Sequence, residues 1–220
     1  MLYILKKYFV IQLNNNQAML FLHVHPDNPQ PRNITTIVDV LRKGGVIIYP
    51  TDTIYGLGCS IYEHKAIEKI CWLKQIVPAK ANLSMICYDL SNLSDFAKQI
   101  STPTYRMLKD HLPGPYTFIL PASKQVPKIL QTKKDTIGIR IPNNNITRAI
   151  VKELGHPILS ASLPGEMVED YTDPDVMVEN FRNDVDIVVH GGIGSMIAST
   201  IIDCTGDLPE MIRQGAGIWE

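Results

Sequence analysis

Hydroxyl and cationic side chains near the ends of predicted strands are the groups in this sequence best suited to chemistry. The hydroxyl groups belong to Thr51, Thr53, Thr117, Ser160, Ser162, Ser199 and Thr200. The cations that could join them are Lys74, Lys80, Arg140 and Arg213. Such a site suits phosphate or carboxylate ligands, because hydroxyl and cationic side chains both donate hydrogen bonds to anionic oxygens. The alternative is that each hydroxyl satisfies local backbone and each cation is solvated.

Several common catalytic arrangements are missing from the sequence. There is no Gly-x-x-x-x-Gly-Lys-Ser/Thr loop, and no Gly-x-Gly-x-x-Gly follows a predicted strand. The six histidines and four cysteines show no metal-ligand spacing. The formal net charge of −1 gives no bulk reason to expect nucleic-acid binding, so any basic surface must come from local clustering.

The densest group of polar candidates follows a short apolar run. Residues 46–49 are β-formers and predict a buried strand. Residues 51–53 then place two hydroxyls and a carboxylate at the strand end, which is where open α/β sheets build their sites. The alternative is a simple capping role in a turn. Gly56 and Gly58 are expected to keep the next turn free of bulk.

The elements that must position these groups alternate irregularly between helix and strand. We predict helices over residues 34–43, 63–73, 92–99, 102–112, 126–130, 146–154 and 174–181. We predict strands over 20–24, 46–49, 83–87, 116–120, 136–141, 157–162, 185–189, 200–203 and 211–213. Since side chains alternate along a strand, Ser160 and Ser162 share one face. The pattern predicts one α/β domain on a twisted, mixed sheet.

The first 18 residues are expected to stand apart from this domain. Their apolar run is short, Lys6 and Lys7 interrupt it, and no small-residue cleavage site follows, so neither a signal peptide nor a membrane span is indicated. We expect residues 1–18 to be a non-native start or a disordered arm, with the domain covering 19–220. Widely spaced cysteines in apolar runs suit buried free thiols in a reducing cytoplasm.

Residues 50–58, Pro-Thr-Asp-Thr-Ile-Tyr-Gly-Leu-Gly, resemble a signature of the YrdC-like threonylcarbamoyl-AMP synthase family. Further matching blocks fall in the family's order at residues 73–75, 113–118, 139–142, 160–162 and 199–203. Residues 25–30 and 189–192 look most like its YciO-like branch. The resemblance covers nearly the whole chain and implies a single YrdC-like domain, with an open sheet flanked by helices around a concave groove.

The resemblance also implies a reaction and a set of roles. Threonine and bicarbonate would give a carbamate that attacks the α-phosphate of ATP, with Mg²⁺ travelling with ATP, and the product would serve tRNA adenosine modification. Lys74 and Arg140 would be catalytic. The substrate would contact Thr51, Thr53, Thr117, Ser199 and Thr200. The nucleotide would contact Lys74, Lys80, Ser160, Ser162 and Arg213.

Two departures from the family pattern weaken the expected chemistry. Ile76 stands where the synthases carry an arginine, so a phosphate-binding guanidinium is replaced by a hydrocarbon. Leu163 and Pro164 follow Ser162 where the synthases carry an alanine and an asparagine. We therefore expect binding of nucleotide and double-stranded RNA with reduced synthase activity. The alternative is a non-catalytic RNA-binding or translation-associated protein that kept the cleft.

Overall fold

The computed structural model describes residues 18–77, 81, 83–91, 93–98, 100–127 and 135–219. Within these residues, ten strands form one sheet. They are β1 Leu20–His23, β2 Ile47–Tyr49, β3 Gly56–Ser60, β4 Ser84–Ile86, β5 Tyr116–Pro121, β6 Thr136–Arg140, β7 Ile158–Ser162, β8 Ile187–His190, β9 Thr200–Asp203 and β10 Glu210–Arg213. The predicted α/β class is confirmed.

The sheet mixes parallel and antiparallel pairs in the order β1-β8-β2-β3-β7-β4-β6-β5-β9-β10. Four neighbouring pairs are parallel: β1 with β8, β2 with β8, β4 with β6, and β5 with β9. The other pairs are antiparallel. The predicted mixed, open sheet in a single domain is therefore confirmed.

Seven helices flank the sheet in the described part of the chain. They are α1 Pro31–Arg42, α2 His64–Leu73, α3 Leu93–Phe96, α4 Thr102–His111, α5 Asn145–Leu154, α6 Glu169–Thr172 and α7 Pro174–Phe181. Helix α5 is well delimited, because the Asn144 side chain accepts a hydrogen bond from the Thr147 N–H and Gly155 ends the helix with a φ of 83°. None of the described helices has the length and apolarity needed to cross a membrane.

One face of the sheet, which we call the core face, is apolar from β8 to β9. Alternate strand residues such as Leu57, Met85 and Ile139 form its centre. Helices α2, α3, α4 and α7 cover this face with buried side chains that include Ile67 and Phe181. Burial of this continuous apolar surface is the main stabilising contribution to the fold.

The opposite face, which we call the cleft face, is divided into two halves. In the covered half, α1 and α5 pack on Ile47, Ile158, Ile187 and neighbouring apolar residues. In the open half, polar residues and glycines line a cavity instead. Paired residues in neighbouring strands project to the same face, so Gly58, Ser160, Ser84 and Gly138 form one row across the open half.

Three details of the predicted elements were wrong. Gly56 and Gly58 lie in strand β3, not in a turn, and β3 pairs with β2. Helix α1 starts at Pro31, because proline suits the first turn of a helix, where its missing N–H leaves no bond unmade. The sequence also predicts Thr102 as the cap of α4, because threonine is a common N-cap residue. The cap is instead Ser101, whose hydroxyl accepts from the Thr104 N–H, and Thr102 is the first residue of the helix.

Some predictions fall outside the described residues. Lys80 and residues 1–17 lie outside them, as does most of the brief helix predicted over 126–130. The four cysteines are free, and three of them are buried. Among the described residues, no group of three or more His, Cys, Asp or Glu side chains is placed to hold a metal ion.

Candidate functional site

The turn that follows β2 is held by its own hydroxyl groups. Thr51 Oγ1 donates to Ile54 O at 2.8 Å and accepts from the Thr53 N–H at 3.0 Å. The two threonine hydroxyl oxygens lie 3.0 Å apart, and Thr53 is fully buried. The turn is therefore stabilised by hydrogen bonds among its own residues.

Asp52 and Arg140 form an ion pair beside this turn. Arg140 Nη2 donates to Asp52 Oδ1 at 3.0 Å and to Thr53 Oγ1 at 2.9 Å. Asp52 Oδ2 accepts from the Asn143 N–H at 2.9 Å, which ties the carboxylate to the loop before α5. The side chains are only 11% and 10% exposed. Arg140 Nε is also buried and has no partner among the described residues, so the guanidinium keeps a donor for a ligand.

The two serines of β7 each accept a hydrogen bond from a residue elsewhere in the chain. Tyr49 O–H donates to Ser160 Oγ at 2.6 Å, and Lys74 Nζ donates to Ser162 Oγ at 3.1 Å. Burial lowers the pKa of Lys74 from its ordinary value. Burial raises the pKa of Tyr49 to about 12, so the phenol keeps its proton at physiological pH.

The far side of the open half is formed by β5, β9 and β10. Thr117 Oγ1 and Ser199 Oγ lie 2.8 Å apart. Arg213 donates to Ser199 O through Nε at 3.2 Å and through Nη2 at 2.7 Å. Partial burial, with a smaller effect from the positive charge of Arg140, lowers the pKa of Arg213. Two guanidinium groups therefore lie near each other at one cleft.

These groups surround a cavity of about 210 Å³. The predicted residues that line it are Thr51, Thr117, Arg140, Ser160, Ser162, Ser199 and Arg213. Lys74 reaches this set through Ser162, and Thr53 reaches it through Arg140. A second cavity, of about 190 Å³, lies at the other ends of β4 and β7 and contains none of the predicted residues.

Thr200 differs from the other predicted residues. It is fully buried, its hydroxyl donates to Gly217 O at 2.6 Å, and it accepts from the Gly215 N–H at 2.9 Å. Thr200 therefore holds the C-terminal segment against β9 and is not among the residues that line the cavity. Thr200 was predicted to contact substrate, because a hydroxyl beside Ser199 gives the same sequence pattern in a structural role and in a binding role.

Asp52 was one of the polar candidates after β2 but was given no role, and Tyr49 was not among the candidates, yet both contact residues of the site. Asp52 lies between two threonines that were selected, so its position was a usable signal. Tyr49 ends a buried strand, and its hydroxyl partner Ser160 is 111 residues away in the chain. No local pattern in the sequence indicates such a contact.

The site can bind anionic oxygens from several directions. The donors are Arg140 Nε, the Arg213 guanidinium and the serine hydroxyls. The negative charge of Asp52 is paired with Arg140. Charge-assisted hydrogen bonds of this kind are suited to phosphate and carboxylate groups. The arrangement favours positioning and charge neutralisation over proton abstraction by a general base.

The fold and site agree with one protein family. The family model described as Telomere recombination, which covers the Sua5, YciO and YrdC proteins, matches residues 39–215. Because this match spans more than half of the chain, the protein belongs to the Sua5/YciO/YrdC family. Among its relatives, the YciO protein of Escherichia coli K12 is 43% identical over 200 residues, which cover 90% of this chain and 96% of YciO.

A second relative carries a functional name. The threonylcarbamoyl-AMP synthase of Coxiella burnetii (strain RSA 493) is 28% identical over 163 residues, covering 74% of this chain and 87% of the synthase. The chain is thus related to threonylcarbamoyl-AMP synthases, at a lower identity than to YciO.

Solved structures give the same relationships. The crystal structure of E. coli YciO matches with a TM-score of 0.84 and 41% identity, over 91% of this chain and 97% of that one. The Sua5 protein of P. abyssi complexed with L-threonine matches with a TM-score of 0.82 and 26% identity. That alignment covers 90% of this chain and 58% of Sua5.

Proposed function

We propose that the open half of the cleft face binds Mg²⁺-ATP and L-threonine and supports threonylcarbamoyl-AMP synthesis at a low rate. The observation that carries this proposal is the buried Arg140 Nε, which lacks a partner among the described residues. The Arg140 side chain lines the same cavity as Arg213 and Ser160. The relationship to threonylcarbamoyl-AMP synthases and to a Sua5 protein complexed with L-threonine supports the choice of ligands.

Each group of residues has a distinct part in this proposal. Arg140 meets the carboxylate of threonine or a phosphate oxygen, and the turn at Thr51 and Thr53 keeps Arg140 in place. Lys74 and Arg213 neutralise phosphate charge, and Mg²⁺ enters with the ATP phosphates. The threonine amine and bicarbonate form a carbamate with loss of water. An oxygen of this carbamate then attacks the α-phosphate of ATP, and pyrophosphate leaves.

Two residues near Lys74 and Ser162 explain why we propose a low rate. Ile76 packs partly buried against the core and adds no charge at the position where a synthase has an arginine. Pro164 stands where a synthase has an asparagine, so no side-chain amide is available there for the nucleotide. Loss of one charge-assisted hydrogen bond costs roughly 1.5–3 kcal/mol, which is about a ten- to 150-fold loss in affinity.

The binding test is calorimetric titration of the purified protein with Mg²⁺-ATP. Arg213→Ala should weaken binding, because it removes a guanidinium from the cavity and the hydrogen bonds to Ser199 O. Arg182→Ala is the matched control, since this arginine follows α7 and is exposed. An unchanged dissociation constant for Arg213→Ala would place nucleotide binding elsewhere.

The test of the rate is Ile76→Arg, with Val77→Arg as control. Val77 is 61% exposed, and its replacement by arginine adds the same charge one residue later in the chain. Ile76→Arg should tighten ATP binding and Val77→Arg should not. Product formation is followed with threonine, bicarbonate and ATP. Wild-type synthesis at the rate of an authentic synthase would contradict the proposed divergence.

Binding without synthesis is the second candidate function, and the presence of Ile76 and Pro164 in place of the synthases' arginine and asparagine favours it. In this case the protein recognises tRNA or another double-stranded RNA through phosphate contacts and shape. A titration with tRNA at two salt concentrations distinguishes the candidates. Salt-sensitive RNA binding without any product from ATP and threonine supports this second function.

A further inference from the structure

We propose that Tyr49 is a positioning residue that makes Ser160 a hydrogen-bond donor to the ligand in the cleft. This inference rests on the proposed function, because it assigns a direction to one contact of that site. The ligand group concerned is an anionic or carbonyl oxygen, as found in phosphate and carboxylate groups. Tyr49 itself lies behind Ser160 and is fully buried.

The backbone of β3 has the shape that this arrangement requires. Tyr49 ends β2, and its phenol crosses β3 to reach Ser160 on β7, which is the next strand in the sheet. A Cβ on Gly58 would lie 2.6 Å from Tyr49 Cε1, and a Cβ on Gly56 would lie 3.0 Å from Ser160 Oγ. Both glycines therefore leave the space that the ring and the serine hydroxyl occupy.

The direction of the hydrogen bond follows from the burial of the Tyr49 hydroxyl and from its one partner, Ser160. Burial raises the pKa of Tyr49 to about 12, although the Ser160 hydrogen bond and the charge of Arg140 lower it. The phenol therefore keeps its proton at neutral pH, and Ser160 Oγ, at 2.6 Å, is the one hydrogen-bond acceptor it has among the described residues, so Tyr49 is the donor. A hydroxyl has one proton and two acceptor lone pairs, so Ser160 still has its own proton to donate.

Within the described residues, the Ser160 hydroxyl makes one hydrogen bond, which it accepts from Tyr49. Its own proton therefore has no protein acceptor there. Ser160 is only 7% exposed and lines the cavity with Arg140 and Arg213. A hydroxyl that already accepts a hydrogen bond becomes a stronger donor, because successive hydrogen bonds polarise one another. Ser162 has the same arrangement, with Lys74 as the group that donates to it.

The test is a double-mutant cycle between Tyr49→Phe and Ser160→Ala, measured as the dissociation constant by calorimetry. The probes are Mg²⁺-ATP, sodium pyrophosphate and L-threonine. Phenylalanine keeps the ring and removes only the hydroxyl, so we expect about a three- to tenfold weaker affinity for at least one probe. In the Ser160→Ala background, Tyr49→Phe should change that affinity less than twofold, because the group it acts through is gone.

Two further measurements separate positioning from a purely structural role. Melting temperatures are recorded for every variant, because a structural role alone would lower stability and leave the dissociation constants unchanged. Tyr116→Phe is the matched control, since its hydroxyl donates to Ile218 O at 2.8 Å outside the cavity lining. It should leave all three affinities as in the wild type.

The outcomes distinguish this inference from the proposed function. Wild-type binding of pyrophosphate without ATP would overturn the proposed function and still test Tyr49. Equal affinities for wild type and Tyr49→Phe, or additive effects of the two substitutions, would overturn the inference alone. Wild-type affinity in Ser160→Ala would overturn it even if Tyr49→Phe failed to fold. Absence of binding for all three probes would overturn both.

Discussion

The covered and open halves of the cleft face share strands β4 and β7, yet they have opposite character. On β7, Ile158 is buried under α1 and α5, whereas Ser160, two residues later on the same face, lines the cavity. On β4 the order is reversed, because Ser84 lines the cavity and Ile86 is in the apolar cluster. On both strands the apolar residue lies under the two helices and the polar residue lies where the helices leave the sheet uncovered.

The boundary between the halves is marked by Tyr49. Its ring belongs to the apolar cluster of the covered half, and its hydroxyl contacts Ser160 in the open half. The functional surface thus begins within one side-chain length of the core. Substitutions on either side of this boundary should therefore differ sharply in their effects.

The largest effect is expected from making the covered half polar. Ile158→Ser removes a fully buried side chain and places an unpaired hydroxyl in an apolar cluster, which should cost about 4 kcal/mol. In a domain of this size that corresponds to a melting temperature lower by about 8–16 °C. Ser84→Ala in the open half is the control and should change stability by less than about 0.5 kcal/mol. Equal shifts for the two variants would show that the halves do not differ.

A somewhat smaller loss is expected when the ion pair of the open half is broken. Asp52→Asn removes the charge opposite Arg140, and both side chains are about nine-tenths buried. Loss of one partner from such a pair should cost about 3 kcal/mol, measured by urea unfolding. Asp186→Asn is the control, because its pair with Lys69 is much more exposed. A loss no larger than that of Asp186→Asn would mean that Arg140 is held by other contacts.

The boundary itself should tolerate little added volume. Gly58→Ala would place a Cβ 2.6 Å from the Tyr49 ring and 2.9 Å from Ile158 Cγ2, so we expect a loss of about 2 kcal/mol. Gly206→Ala provides the control, because the nearest atom to its added Cβ is Leu208 O at 3.8 Å. Thermal unfolding of both variants measures the difference, and a Gly58→Ala variant as stable as wild type would refute the close packing of Tyr49.

The smallest effect concerns pH at the end of the covered half. Burial lowers the pKa of His156 from its ordinary value of 6.5, although its bond to Pro157 O raises it. The unfolded chain therefore binds a proton before the folded one, and stability should fall as pH decreases below about 6.5. His156→Gln should reduce this pH dependence without removing it. An identical slope in both proteins would contradict the expected titration of His156.

Sequence reasoning found the sheet residues of the site better than it found their connections. Ser160 and Ser162 were placed on one face by the period of two, and the structure puts both at the cavity. Gly56 and Gly58 were assigned to a turn, because glycine has low strand propensity. Their actual role depends on Tyr49, and only the antiparallel pairing of β2 with β3 reveals that contact.

The contacts that the sequence did not predict share one physical cause. Asp52 binds Arg140, and Tyr49 binds Ser160, across separations of 88 and 111 residues. Thr200 was selected for its hydroxyl, but the C-terminal segment uses that hydroxyl. Local patterns indicate which residue types are available, whereas contacts between distant segments determine which hydroxyls remain free for a ligand.

The order of the strands has a consequence for the time course of folding. Within the described residues, strand β1 pairs only with β8, and β2 has β8 as one neighbour. These early strands can therefore complete their pairing only when the late strand β8 is present. Arg213 joins the cavity from the last strand. Contacts between such distant segments slow folding, because the entropy of closing a long loop is lost before the strand contacts form. During synthesis, the cleft can therefore be completed only after nearly all of the polypeptide has emerged.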